Sequence, residues 1–417
     1  MALIADRVYG PFFLANLISN CGNWIHNVAA AVVVFQLTGS ALAVGAVTAC
    51  LWGGSLLLQP WAGSLADRYD RRRLLIAGQT VALAGAVAVA VPIAVLGVGG
   101  LPGPWPVYLG TAVIGIGVAF SIPAMLALIP ALVTDDDLDE AIALNSLSFN
   151  LARALGPALA GLVLVSGDAA VAFAINGASF AILIAVLVWI RPRFAQPRAA
   201  ADASVRAGLA WLRSDPRALV LLATMVAIGF ATDPINTLTP PIADLLGEGA
   251  DVVGLFVTAF GTGAVVLALL TRRIRDLLGR ERAASAGLGL LGLGIIGFGF
   301  AASLWQGVVA MVLAGAGFIV AITSVTTQLQ ERVPDQLRGR VMALWGVAFL
   351  GTRPISAAID GGIADAVSPR AAAAAMAATA LAAALVQRFH SDSLWVSPPR
   401  RNPGTSSRRR ASGAEIR

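Results

Sequence analysis

Long apolar stretches separated by short polar ones run along almost the whole chain. About 20 apolar residues cross a hydrocarbon layer about 30 Å thick, so each stretch is long enough for one membrane-spanning helix. The pattern predicts twelve spans, near residues 9–37, 41–62, 74–97, 105–129, 139–165, 169–190, 217–246, 252–270, 283–301, 305–330, 340–362 and 370–388. The predicted fold class is an all-α integral membrane protein. The first stretch is too long and too rich in Asn for a cleavable signal peptide.

An internal repeat relates the two halves of the sequence. A shift of 200 residues places helix five on helix eleven and matches Arg153 with Arg353. A shift of 209 residues places helix one on helix seven and matches Asn27 with Asn236. Both shifts carry six helices onto six with the same orientation. They predict two parallel six-helix bundles around an axis along the membrane normal.

The repeat also predicts the domain organisation. The expected segments are an N-terminal bundle at 1–190, a cytoplasmic central loop at 191–216, a C-terminal bundle at 217–390 and a disordered basic tail at 391–417. The second half of the central loop predicts a short amphipathic helix that turns Leu209, Trp211 and Leu212 towards lipid or protein.

Composition and charge agree with the membrane class. The chain is 58% hydrophobic and only 12% charged, with a mean hydropathy of +0.80. All 29 basic residues are arginines, and nearly all lie at the N-terminus, in the even-numbered loops or in the tail. This positive-inside pattern predicts cytoplasmic termini and explains the basic balance without a nucleic-acid partner. Cys21 and Cys50 lie inside predicted helices, where they are expected to pack as small apolar residues.

Three segments carry a resemblance to a known family. The segment GSLADRYDRRRLL at 63–75 resembles the loop signature of the major facilitator superfamily. The segments at 131–164 and 332–351 resemble the branch that contains the enterobactin exporters and the transmembrane secretion effectors. The resemblance covers the chain up to about residue 390, and it implies the twelve-helix fold of that superfamily and a transport function.

The loop signature implies a conformational gate. Its residues are Gly63, Asp67, Arg68, Arg71 and Arg72. The resemblance implies that Asp67 lies against the N-terminus of helix eleven, near residues 338–341, where the positive helix end favours an anion. The arginines have a second interpretation as topology signals. Asp70 occupies the position of the family's glycine, so the tight turn of the signature is in doubt.

Helix five carries Gly156, Pro157 and Gly161 in the segment GPALAG. This segment is similar to the antiporter signature of exporter branches. Small residues let two helices approach closely, and a proline bends the helix axis. Ordinary tight packing is the alternative interpretation.

Four asparagines interrupt the first apolar stretch. Asn16, Asn20, Asn23 and Asn27 fall on one face of helix one, because successive residues of a helix are about 100° apart. Amides in hydrocarbon need partners, so this stripe faces either a water-filled cavity or another helix. The resemblance implies that helix one lines the central cavity, which favours the first alternative. His26 lies off the stripe and is expected to be a hydrogen-bonded packing residue.

Charged residues deep in the membrane are candidate functional groups. They are Asp233 near the middle of helix seven, Arg153 in helix five and Arg353 in helix eleven, with Asn236 near Asp233. Asp233 is the candidate proton-coupling residue, for which proton and substrate would compete. The alternative is a static Asp–Arg pair. Asp360 is expected to be a solvated helix end.

The leading functional hypothesis is a secondary active exporter of an amphiphilic small molecule, such as a siderophore, drug or secondary metabolite. Proton antiport by alternating access would drive it, with no cofactor or metal. The expected partners are the substrate, protons and membrane lipid, and a monomer in the cell membrane is expected. The alternatives are an importer of a nutrient and a non-transporting scaffold. An enzyme is not expected, since the sequence carries no metal cluster, nucleophile constellation or phosphate loop.

Overall fold

A computed structural model describes residues 2–134, 136–165, 169–190, 205–334 and 337–392. A few side chains inside the helices lie outside the description, including those of Asp67, Arg153 and Pro157. The helices are α1 (Tyr9–Thr38), α2 (Ala41–Arg68), α3 (Arg71–Leu96), α4 (Trp105–Leu128), α5 (Leu138–Val165), α6 (Ala169–Trp189), α7 (Val205–Ser214), α8 (Pro216–Thr232), α9 (Pro234–Thr237), α10 (Thr239–Leu245), α11 (Ala250–Leu278), α12 (Arg280–Gly299), α13 (Leu304–Arg332), α14 (Arg338–Leu350), α15 (Arg353–Ala366) and α16 (Pro369–Asp392).

Among the described residues, ten helical segments are long and apolar enough to cross a membrane. They coincide with ten of the twelve predicted spans. The other two, predicted at 41–62 and 139–165, are also helical and form α2 and α5, each 28 residues long. The prediction of an all-helical membrane protein is therefore confirmed. Helix α2 continues beyond the predicted second span, to Arg68.

Two spans that the sequence predicts as continuous helices are broken. The seventh consists of α8, α9 and α10, and the eleventh of α14 and α15. Each break adjoins a proline, Pro234 or Pro354, which has no N–H to donate to the preceding turn. At the first break, Asp233 N bonds Phe230 O at 3.2 Å and Asn236 N bonds Asp233 O at 2.8 Å. These tight i to i−3 bonds place Asp233 at the joint between α8 and α9.

Among the described helices, two pairs make the most extensive contacts between the two halves. Helix α5 packs against α11, and α2 packs against α15. The repeat shifts place α2 on α11 and α5 on the α14–α15 pair. The two contacts are thus equivalent copies, as expected for a parallel repeat around a two-fold axis.

Contact between α2 and α15 is closest near the turn that joins α1 to α2, hereafter the α1–α2 end. A methyl group at Gly45 would come within 2.5 Å of Ala357 O, and one at Gly361 would come within 2.6 Å of Leu42 Cα. Towards the α2–α3 end, by contrast, Leu57 is 67% exposed. Small residues let membrane helices approach this closely. Helix α2 is therefore buried against the second half at one end and exposed at the other.

The predicted amphipathic helix of the central loop is confirmed as α7. Leu212 is fully buried and Trp211 is partly buried, whereas Leu209 is exposed. The helix packs against α8 and α14. The first part of the loop, at 191–204, and the basic tail from 393 onwards lie outside the described residues.

Candidate functional site

A pocket lies between the two halves, lined by residues of α1, α2, α9, α11 and α15. Valines of α1, α2 and α11 form its apolar wall. Its polar and aromatic groups are Asn27, Thr48 and Trp52 from the first half and Asn236 and Arg353 from the second. Asn27 and Asn236, which the repeat makes equivalent, thus line the same pocket. The lining therefore combines apolar walls with several polar groups.

Arg353 connects the two halves inside this pocket. Its side chain is 6% exposed. The guanidinium carbon lies 5.5 Å from the ring centroid of Trp52, on α2, and 5.6 Å from that of Phe349. A guanidinium over an aromatic face is attracted by the ring quadrupole, more strongly when water is excluded. The rings of Trp52 and Phe349 therefore stabilise the cation at the interface.

Asp233 lies at the α8–α9 joint and is 1% exposed. Its Oδ2 accepts a hydrogen bond of 2.8 Å from Thr237 Oγ1. Its other neighbours are Arg353, Ser356 and Asp360. No ion pair within 4.0 Å joins Asp233 to Arg353, both of which the structure describes fully. A static Asp–Arg pair is not formed in this conformation.

Asp360 was missed by the sequence analysis, which assigned it to a solvated helix end. That expectation is wrong, because Asp360 is 0% exposed and lies beside Asp233. The residue is close to the end of α15 in sequence, but this helix packs against α2, α8, α9 and α16. Its i+7 spacing from Arg353 places both on one helix face, and that spacing was the available signal.

The asparagine stripe of α1 serves two purposes. Asn16 donates to Asn145 Oδ1 of α5 at 3.0 Å, and Asn20 donates to Ser148 Oγ at 3.3 Å. Asn23 is half-buried, and Asn27 lines the pocket. One end of the stripe therefore bonds a neighbouring helix and the other faces the cavity.

His26 is a packing residue, as expected. It is 1% exposed, and its Nε2 lies 3.0 Å from Thr111 Oγ1. The ring also contacts Phe173 edge-on, with centroids 5.1 Å apart. It lies away from the central pocket, between α1, α4 and α6.

The loop between α2 and α3 is held within the first half. Arg71 donates to Ala127 O at 3.1 Å, and Arg72 donates to the Leu187 and Val188 carbonyls. Both arginines thus neutralise the C-terminal ends of other helices. Arg68 is exposed and Gly63 is half-buried. The predicted contact of Asp67 with 338–341 involves side chains outside the described ones.

The unexpected residue of the loop signature, Asp70, caps α3. Its Oδ1 accepts from Arg73 N at 2.8 Å, and its φ is −61°. No glycine is needed at such a φ. The corresponding loop between α11 and α12 has Gly279 with φ +77°, where a residue without Cβ is favoured. The aspartate thus replaces the signature's glycine by ordinary helix capping.

A second carboxylate that sequence reasoning missed closes the α1–α2 end. Asp365, at the end of α15, accepts from Ser40 Oγ at 2.5 Å, Ala41 N at 2.7 Å and Leu42 N at 3.1 Å. These donors form the N-terminus of α2, so the anion meets the positive end of that helix. This contact joins the two halves.

The helix-five motif packs against α1. A methyl group at Gly156 would come within 2.5 Å of Trp24 Cβ. Gly161 is buried. The side chains of Pro157 and of Arg153 are outside the described ones. Across the described ranges, no group of three or more His, Cys, Asp or Glu residues is placed to hold a metal ion.

These features define a class of protein. Two helical halves related by a parallel repeat, with a polar pocket between them, are the architecture of a membrane transporter of the major facilitator superfamily. The chain belongs to the transmembrane secretion effector family, whose sequence model matches residues 1–395.

Relatives agree with this assignment. The chain is 28% identical over 383 residues to the enterobactin exporter EntS of Shigella boydii serotype 18, covering 87% of this chain and 86% of the relative. It is 28% identical over 377 residues to EntS of Escherichia coli O6:K15:H31, with the same coverage. The predicted family is therefore confirmed.

Solved structures confirm the fold. The nucleoside transporter NupG has a TM-score of 0.72 at 12% identity, covering 92% of this chain and 99% of that one. The D-xylose-proton symporter has a TM-score of 0.67 at 16% identity, covering 89% and 96%. At these identities the likeness concerns the fold alone. The family model and the curated relatives place the chain among membrane transporters and not among enzymes.

Proposed function

We propose that the chain exports an amphiphilic small molecule in exchange for protons, by alternating access. The observation that carries the proposal is the pocket built by both halves, with Arg353 on one side and Trp52 on the other. Apolar walls combined with amides and an indole suit an amphiphile. The relatives named as enterobactin exporters favour a siderophore-like cargo.

The proposed orientation follows from the arginines. Both termini lie in the cytoplasm, and the chain crosses the inner membrane as a monomer in contact with lipid. The α1–α2 end then faces outwards. Since α2 and α15 are packed there and Asp365 bonds the α2 N-terminus, this conformation is closed to the outside. Alternating access requires this contact to open during the cycle.

Proton coupling is assigned to Asp233. It is a buried carboxyl group at a helix break, next to the pocket residues Arg353 and Asn236. Burying an ionisable group in a membrane helix costs free energy, so such groups are rare. Where they occur, they mark functional sites such as proton pathways. A helix break also allows the segment to move.

The test uses proteoliposomes loaded with a pH-sensitive dye. Wild type, Asp233→Asn and the control Asp244→Asn, an exposed residue of α10, are compared under an imposed proton gradient. The probes are enterobactin and a panel of cationic dyes. We expect proton movement that depends on the probe in wild type and control, and none in Asp233→Asn, which should still bind the probe.

The result distinguishes the competing functions. Protons and probe moving in opposite directions support antiport, whereas movement in the same direction favours an importer. Unchanged coupling in Asp233→Asn would remove that residue from the proton pathway. Probe binding without any transport would favour the scaffold.

A further inference from the structure

Two buried carboxyl groups lie next to each other beside the central pocket. Asp233 is 1% exposed and Asp360 is 0% exposed. Of their four oxygens, Asp233 Oδ2 accepts a hydrogen bond from Thr237 Oγ1. The hydroxyl of Ser356, another neighbour of Asp233, donates to Arg353 O at 3.0 Å. Asp233 Oδ1 and both oxygens of Asp360 are buried without a partner in the described part of the chain. Carboxylate oxygens buried without donors are strongly unfavourable. The pair is therefore unfavourable when both groups are ionised.

The charged groups around Asp233 and Asp360 indicate how much positive charge the carboxyl pair needs. The charged neighbour of Asp233 is Arg353, and that of Asp360 is Asp233. Helix α2, which packs against α15, contributes Thr48 and Trp52 to the adjoining pocket, and neither is ionisable. The other helices packed against α15 are α8, α9 and α16. Helix α9 has no ionisable residue, α8 has Arg217 in its first turn, and α16 has Arg370, Arg388, His390 and Asp392 near its two ends. Two carboxylates and one guanidinium leave a single negative charge. One proton balances it, because neighbouring carboxyl groups hold a proton between them in preference to two like charges.

We propose that Asp233 and Asp360 form one proton-binding site, in which a single proton is shared by the two carboxyl groups. The inference rests on the proposed proton antiport and adds Asp360 to it. Arg353 is the positioning residue that links this site to the cargo. Its guanidinium lies over Trp52, and no ion pair within 4.0 Å joins it to Asp233.

This arrangement makes proton and cargo exclude each other. A cargo with a flat apolar or aromatic face competes with Arg353 for the face of Trp52. The displaced guanidinium then approaches the carboxyl pair and stabilises its ionised form, so the proton leaves. When the cargo leaves, Arg353 returns to Trp52 and the pair takes up a proton. Mutually exclusive binding of this kind is the thermodynamic requirement of antiport.

Infrared difference spectroscopy of the purified full chain tests the site without any cargo. Wild type should show the C=O stretch of a protonated carboxyl group at neutral pH, and this band should disappear as the pH is raised. Asp233→Asn and Asp360→Asn should each abolish it, because the remaining carboxylate is balanced by Arg353. The control Asp244→Asn should retain it. Arg353→Gln should increase it about twofold, since both carboxyl groups then hold a proton.

Several results would overturn the proposal. Loss of the band in only one Asn variant would assign the proton to a single carboxyl group. A band that responds to Na⁺ at constant pH, and not to pH, would assign the site to a metal cation.

Elution as a monodisperse peak verifies that each variant folds, and Asp360→Ser replaces Asp360→Asn if the latter does not. A shared proton in a chain that moves no protons with cargo would refute the antiport and leave the site intact.

Discussion

Single residues of α1 show how one polar stripe divides between structure and function. Asn16 is 2% exposed and bonds Asn145, whereas Asn27 is half-buried and lines the pocket. An amide surrounded by helices must be bonded there, while an amide in a cavity is free to meet a ligand. The sequence predicted the stripe and left both interpretations open.

At this scale, Asn16→Leu should lower thermal stability in detergent, because Asn145 loses its donor. The expected loss is about 1 kcal/mol, as hydrogen bonds between membrane helices are modest. Asn27→Leu should leave the melting temperature unchanged. Equal losses in both variants would contradict the division of the stripe.

The elements α2 and α15 form the contact that closes the α1–α2 end. Glycines allow the close approach, and Asp365 bonds the first turn of α2. Neither feature was predicted, because each depends on residues more than 300 positions apart. The α8–α9 joint was also missed, although Pro234 marks it in the sequence.

Gly361→Leu should prevent closure of this end, because its side chain would meet the backbone of Leu42. The neighbouring Gly362→Leu is the matched control, since a methyl group there meets nothing within 4 Å. Transport should be lost in the first variant and kept in the second. Distances between spin labels on α2 and α15 would show a wider gap in Gly361→Leu alone, and an unchanged gap would refute the role of this contact.

Asp365→Ala should favour opening of the same end. An exposed anion at a helix N-terminus contributes about 0.3–1 kcal/mol, so the opening equilibrium should shift up to about fivefold. The readout is the labelling rate of Thr48→Cys in the pocket by a membrane-impermeant maleimide, with Cys21 and Cys50 replaced by Ser. The control is Asp244→Ala. Identical labelling rates would exclude a latch at Asp365.

At the scale of the whole molecule, the two-fold repeat relates the two helix-pair interfaces to each other. It also relates the pocket residues of the first half to those of the second. The α2–α15 contact is the copy of the α5–α11 contact, and Asn27 is the copy of Asn236. A pocket on such an axis is reached from either side by rocking one half against the other.

If the pocket on the axis binds cargo through both copies, Asn27→Leu and Asn236→Leu should weaken binding similarly. Loss of one hydrogen bond costs about 1 kcal/mol, or about fivefold in affinity. Transport of enterobactin at varied concentration measures the effect. Thr80→Val is the control, because Thr80 bonds only the Ile76 carbonyl of its own helix. A strong effect at one asparagine alone would place the cargo off the axis.

The sequence by itself determined the membrane class, the positions of the membrane spans, the parallel repeat and the family. These properties are written in local hydrophobicity, in charge along the chain and in short motifs. The tertiary structure alone decided that Asp360 is buried beside Asp233, that Arg353 lies over Trp52 and that Asp365 joins the halves. The physical reason is that burial and pairing depend on which helix covers each face, and a helix's own sequence does not specify its neighbour.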